Sequence, residues 1–182
     1  MASRLYQTLL ESSSQLVVAI GPAGTGKTFI PSRMAAAKLK NGSLKKLIIT
    51  RPAVTVDEQH GFLPGTIEQK MQPWTQPILE HIKDRSRVEI CPLAYMRGRT
   101  FDDAWIIADE MQNATENQMK MALTRIGYGS KMIITGDLTQ NDIPNNGLVD
   151  LVRRMDPKYL VKFTHDDIVR SEIVREILTW YS

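Results

Sequence analysis

The sequence predicts an α/β domain built on a mostly parallel sheet, and three observations predict it. Six short apolar runs, at residues 16–20, 46–50, 88–91, 104–108, 131–135 and 159–163, are separated by longer stretches of helical periodicity. Most of these runs are continuously apolar rather than alternating, as strands covered on both faces must be. The first run leads straight into a glycine-rich turn followed by a helical pattern, the order of a strand–loop–helix unit.

The elements follow in order. A helix is expected from Gly26 to about Lys40, after the glycine-rich turn. Residues 66–83 are helical in pattern, but Pro73 and Pro77 are expected to break or kink them, since each removes a backbone donor. The clearest helix is 115–127: Thr115 and Gln118 fit a capping box, and Met119, Ala122, Leu123 and Ile126 fall at i, i+3, i+4 and i+7. Ser171 can cap a last helix whose buried stripe is Ile173, Val174, Ile177 and Leu178. There is no internal repeat, low-complexity tract or linker, so residues 1–182 read as one domain.

Composition agrees with a globular domain. Of 182 residues, 42% are hydrophobic and 24% charged, too apolar and too evenly charged for a disordered chain. No run of 18 apolar residues crosses a membrane. The lone cysteine, Cys91, excludes an internal disulfide and suits a reducing compartment; with no charged-then-apolar leader, the expected address is the cytoplasm. Cys91 itself reads as a small buried apolar residue. The net charge of +3 is mild. Its distribution says more: Lys38, Lys40, Lys45, Lys46 and Arg51 follow one another with no acid between them, and Arg97 and Arg99 form a second knot.

The strongest motif is Gly21-Pro22-Ala23-Gly24-Thr25-Gly26-Lys27-Thr28, a full match to G-x-x-x-x-G-K-[ST] in the strand-to-helix context that motif requires. Glycines let backbone N–H groups curl around a β-phosphate, and the helix N-terminus adds its positive dipole end. Lys27 can then bridge β- and γ-phosphates, and Thr28 can offer its hydroxyl to Mg²⁺. The run at 104–108 ends in Asp109 and Glu110, which should emerge at the carboxyl edge of the sheet beside this loop. Asp109 suits the Mg²⁺ shell, directly or through water, and Glu110 the activation of an attacking water. The run at 131–135 also ends in polar residues, and either Gln140 or Asp137 can sense the γ-phosphate or position the water; the plainer reading there is a Gly-Asp turn.

With these residues in hand the sequence resembles the PhoH-like ATPases along nearly its whole length. The segments GPAGTGKT (21–28), ITRP (49–52), GFLPG (61–65), LAYMRGRT (93–100), ADEMQN (108–113), TGDLTQ (135–140) and DDIVRSEIV (166–174) stand in that family's order. The resemblance implies a three-layer α/β/α sandwich similar to one RecA-like P-loop core of the superfamily-one helicases, with the strand at 131–135 lying between the phosphate-loop strand and the Asp109 strand. It implies ATP and Mg²⁺ as ligands, a link to single-stranded RNA, and a homo-oligomeric ring, with six subunits favoured. Two departures stand out. An adenine-contacting glutamine ahead of Tyr6 has no clear counterpart, and Met111 occupies a place where alanine is commoner. No second RecA-like domain or nuclease domain fits within 182 residues.

A single motor core needs an arginine against the transition-state charge, from within or from a neighbour. Arg170 is the leading residue for that role, acting on a neighbouring subunit's ATP, with Arg97 and Arg99 as rivals. Arg51, Arg97 and Arg99 are also the residues expected to meet RNA phosphates. Trp74, Tyr95 and Trp105 can stack bases, though large aromatics usually pack in cores. His60, His81 and His165 lack zinc spacing. The functional expectation is therefore an Mg²⁺-dependent ATPase coupled to translocation, unwinding or remodelling of single-stranded RNA. The alternative is a nucleotide-dependent oligomeric scaffold or binding module without motor activity. A small-molecule or protein kinase is disfavoured by Glu110.

Overall fold

The computed structural model describes residues 1–53, 67–140, 143–169 and 173–174. Six parallel strands form one sheet in the order β3-β2-β4-β5-β1-β6: β1 (Leu16–Ile20), β2 (Lys46–Thr50), β3 (Val88–Ile90), β4 (Ala104–Ala108), β5 (Lys131–Gly136) and β6 (Leu160–Lys162). All six lie where the apolar runs predict strands, although β3 stops one residue early and β6 is trimmed at both ends. The register aligns Ile20 with Gly136 and Ala108 with Ile134, so the last residues of β1, β4 and β5 reach one edge together. As expected, β5 lies between β1 and β4.

The sheet is covered on both faces, which explains its unbroken apolar strands. One core joins Val17, Ala19, Leu47, Ile49, Trp105, Ile107 and Ile133 to Tyr6 and Leu10 of α1 (Ala2–Glu11), to Ala35 and Leu39 of α2 (Phe29–Lys40), and to Ile78 and Leu79 of α3 (Ile67–Leu79). The other joins Val18, Ile48, Ile106, Met132 and Ile134 to Met119 and Ala122 of α4 (Glu116–Leu123) and to Leu148 of α5 (Gly147–Arg154). Alternate residues of each strand thus face opposite layers, and the architecture is a three-layer α/β/α sandwich.

Three expectations about helices change. Neither Pro73 nor Pro77 breaks α3, which runs through both. Each proline forfeits one backbone bond. Burial of Thr75, Ile78 and Leu79 outweighs that loss, and the Thr75 hydroxyl donates to the Met71 carbonyl. The helix expected at 115–127 has the predicted capping box but ends at Leu123. Residues beyond it turn back to the chain ahead of β4: Phe101 N–H donates to Arg125 O and Gly127 N–H to Phe101 O. A Cβ on Gly127 would stand 2.6 Å from that same Phe101 oxygen, so the turn needs glycine there. The helix expected from Gly26 starts at Phe29, with Ile30 N–H closing onto Gly26 O. Helices α1 and α5 have no counterpart among the sequence expectations. Of the helix expected from Ser171, only residues 173 and 174 are described, and both are helical. The GFLPG segment and His60 lie outside the described residues.

Candidate functional site

The phosphate loop leaves β1 and runs into α2 at the edge where β4 and β5 also end. Its entry is crowded: a Cβ on Gly21, at φ +144°, would lie 2.5 Å from the Phe163 carbonyl oxygen. Thr25 is buried and its hydroxyl donates to the Pro22 carbonyl at 2.9 Å. Gly26 takes a left-handed φ of +87°, open to glycine without strain, and the chain then turns into the helix. Lys27 Nζ donates to the Pro22 carbonyl at 2.6 Å, folding the ammonium back over the loop. Burial holds that ammonium below the ordinary lysine value, while the carboxylates of Asp137, Glu110 and Asp109 pull the other way. Three acids thus act electrostatically on the loop lysine.

Helix α1 braces this loop from behind. The Tyr6 hydroxyl donates to the Lys27 carbonyl at 2.9 Å, and its ring meets Phe163 edge-on at 5.6 Å. Burial pushes the phenol well above its usual value, with the Asp109 charge adding to it, so Tyr6 serves as a neutral donor. On the open side, Val169 N–H donates to Gly24 O at 2.9 Å.

Asp109 follows β4 and is buried. One of its oxygens, Oδ1, accepts from the Thr28 hydroxyl at 2.7 Å and from the Thr135 hydroxyl at 2.5 Å. A phosphate-loop hydroxyl and a carboxylate thus meet at one point, a hard-oxygen pair of the kind magnesium takes alongside waters and phosphate oxygens. Among the described residues no group of three or more His, Cys, Asp or Glu could hold a metal ion.

Glu110 sits at φ +54°, ψ +40°, a left-handed conformation that costs a non-glycine residue about 1 kcal/mol or more. Its carboxylate accepts from the Gln112 amide nitrogen. That same nitrogen donates to Gln140 Oε1 at 3.3 Å, and Gln112 Oε1 accepts from Asp137 N–H at 3.2 Å. Asp137 is buried, and its carboxylate is used by the turn after β5: Oδ1 accepts from the Thr139 N–H and hydroxyl, Oδ2 from Gln140 Nε2. Gln140 is exposed at the tip. Of the two residues left open for the γ-phosphate, the accessible one is Gln140.

The structure brings together Gly21, Pro22, Ala23, Gly24, Thr25, Gly26, Lys27, Thr28, Asp109, Glu110 and Gln140 on one sheet edge. The arginines have different surroundings. Arg51, just past β2, lies over the Trp74 ring at 5.0 Å, and its buried Nε has no hydrogen-bond partner among the described residues. Arg97 and Tyr95 are exposed. Arg99 is taken: it bonds Glu89 of β3 at 2.5 Å and lies over Phe101 at 4.5 Å. Its bond is the main influence holding the Glu89 carboxyl below the usual range, with Lys46 assisting at 2.6 Å. Strand β3 is four places from β1, roughly 19 Å at the usual strand spacing, so Arg99 does not reach its own chain's phosphate loop. Trp105 is buried in the core. Arg170 lies outside the described residues.

Gln112 and Thr135 are the contributors that sequence reasoning missed. Both stand inside motifs already singled out, ADEMQN and TGDLTQ, yet nothing in the one-dimensional pattern says that the two motifs touch.

This loop, with an acid ending the strand two places away and a polar strand end between them, defines a RecA-like P-loop fold. A family model described as PhoH-like protein matches residues 2–182, and the chain belongs to that family. The PhoH-like protein of Bacillus subtilis (strain 168) is 44% identical over 199 residues, covering 100% of this chain and 62% of its own length. Protein PhoH of Escherichia coli (strain K12) is 40% identical over 200 residues, covering 99% of this chain and 56% of its own. The chain thus spans a little over half the length of these relatives. Among solved structures, the large terminase from a thermophilic bacteriophage matches with a TM-score of 0.62 at 14% identity, over 97% of this chain and 49% of that one, a likeness of fold. Among the described residues no helix is long and apolar enough to cross a membrane.

Proposed function

We propose that this chain is an Mg²⁺-dependent ATPase core whose turnover is coupled to single-stranded RNA, by translocation, unwinding or remodelling. The observation that carries this reading is the 2.7 Å bond that joins Thr28 of the phosphate loop to Asp109 at the end of β4. Backbone N–H groups of residues 21–28 and Lys27 bind the β- and γ-phosphates of ATP. Thr28 and Asp109 would hold magnesium, which would supply neutralisation of phosphate charge. Glu110 orients a water and accepts its proton. The water oxygen bonds to the γ-phosphorus as the bond to the β–γ bridging oxygen breaks, and ADP leaves with that electron pair. Gln140 contacts the γ-phosphate from the β5 tip, and Arg170 meets the developing charge.

Support for RNA is the stacked Arg51–Trp74 pair on the same sheet edge, with exposed Arg97 and Tyr95 beyond β3. Such cation and ring pairs suit phosphates and unpaired bases. A head-to-tail ring, six subunits by family resemblance, is proposed as the assembly. The test is phosphate release from ATP with and without single-stranded RNA, run beside native mass spectrometry. RNA-stimulated release supports the motor reading. Release that ignores RNA favours the nucleotide-dependent scaffold.

A further inference from the structure

We propose that Gln112 is the positioning residue through which the β5 tip controls Glu110, so that contact of Gln140 with the γ-phosphate aligns the general base. This rests on the ATPase reading above and concerns regulation of the same site.

Gln112 is fully buried, and its side chain bonds Glu110, Gln140 and the Asp137 backbone. Its amide nitrogen donates both to the Glu110 carboxylate and to Gln140 Oε1, while its amide oxygen accepts from Asp137 N–H. The orientation of the amide follows from its partners. Reversed, it would set oxygen against the Glu110 carboxylate and nitrogen against the Asp137 N–H, losing all three bonds. The backbone is anchored as well, since the Gln112 carbonyl accepts from Asn146 Nδ2 at 2.8 Å. The β5 strand leaves room for this arrangement. A Cβ on Gly136 would stand 2.9 Å from Gln112 Oε1 and 2.5 Å from Leu148 Cδ2, so the glycine between Thr135 and Asp137 is what admits the amide.

The logic is one of shared donors. The two hydrogens of one NH₂ group hold Glu110 and Gln140 together, so the position of Gln140 sets the position of Glu110. Asp137 binds Gln140 Nε2 and presents its own N–H to Gln112, which makes the β5 turn and the amide one unit. When Gln140 turns toward a γ-phosphate, Gln112 and Glu110 turn with it or lose a bond. The base is then aligned only when a triphosphate is in place.

The experiment compares wild type, Gln112→Met and Gln112→Glu for Mg·ATP binding and for kcat. The glutamate variant keeps the acceptor for Asp137 N–H and the side-chain shape, so it decides the matter if the methionine variant does not fold. Both are expected to bind Mg·ATP normally and to lose about tenfold to a hundredfold in kcat, the scale of misplacing a reacting group. A role acting through Gln140 also predicts non-additivity: combining either variant with Gln140→Ala lowers kcat no further than the worse single variant. Losses that multiply, a kcat within about twofold of wild type, or loss of ATP binding along with kcat each overturn the proposal. If the wild type itself releases no phosphate from ATP, the ATPase reading falls and takes this inference with it. An active wild type with unaffected variants removes this inference alone.

Discussion

The Thr28 hydroxyl and the Asp109 carboxylate meet at 2.7 Å although 81 positions separate them in the chain. One ends the phosphate loop and the other follows β4, and β5 lies between their strands. The bond can form because the register sets Ile20 beside Gly136 and Ala108 beside Ile134, and Thr135 of β5 fills the gap with a second bond to the same oxygen. Asp109 is thereby held by one hydroxyl from the phosphate loop and one from the neighbouring strand end.

Thr135 is accordingly expected to tune the metal site without touching nucleotide. Thr135→Val keeps the shape and deletes the bond to Asp109. The magnesium concentration giving half-maximal phosphate release should rise about tenfold or more, as when the support of a ligating group is removed. An unchanged magnesium dependence would remove Thr135 from the site.

Arg51 and Arg97 are expected to meet RNA phosphates, whereas Arg99 is occupied by Glu89. Arg51→Gln and Arg97→Gln should each weaken single-stranded RNA binding and lower the slope of log K against log salt by about 0.7 for each phosphate no longer neutralised. Arg99→Gln should leave that slope unchanged. Fluorescence anisotropy at several salt concentrations reads all three, and an affinity indifferent to salt contradicts the assignment.

From the sequence, Arg170 is expected to act on a neighbouring subunit. The alternative is that it acts on the ATP of its own chain. Mixing Glu110→Gln with Arg170→Ala under conditions of subunit exchange separates the two. Action within the chain leaves the mixture inactive. Partial recovery of phosphate release shows action between chains and supports the ring.

Lys131 gives a pH dependence. Burial, with Lys38 adding repulsion, lowers its pKa from 10.5 to about 8. Between those values the unfolded chain keeps a proton that the folded chain has released, so folding stability gains as pH rises through that window. The neutral amine still has two hydrogens for the carbonyls of Leu9 and Ser12, at 3.0 and 2.9 Å. Urea unfolding of wild type and Lys131→Met should show the difference between them shifting toward wild type as pH rises from about 8 toward 10.5. A constant difference contradicts the lowered value.

Local patterns were the legible part of this molecule. The strands follow from apolar runs, and the Thr115 capping box and the phosphate loop from motifs only a few residues long. Glu110 and Asp109 were legible because they end an apolar run. Gln112 and Thr135 were not, because their partners are fixed by the side-by-side placement of β4 and β5, a long-range property. The pairing of Arg99 with Glu89 of β3, ten residues earlier, was not legible either, since no short-range pattern announces it. The two prolines of α3 mark the opposite limit, since the helix runs through both where a local rule allows a break.

The central claim is that Glu110 activates water at a site that binds Mg·ATP without it. The most direct measurement compares ATP binding and phosphate release for wild type and Glu110→Gln in one preparation. The account predicts equal ATP affinity and a loss of turnover of about a hundredfold or more in the variant, the scale of removing a general base. Near-normal phosphate release by Glu110→Gln would contradict it.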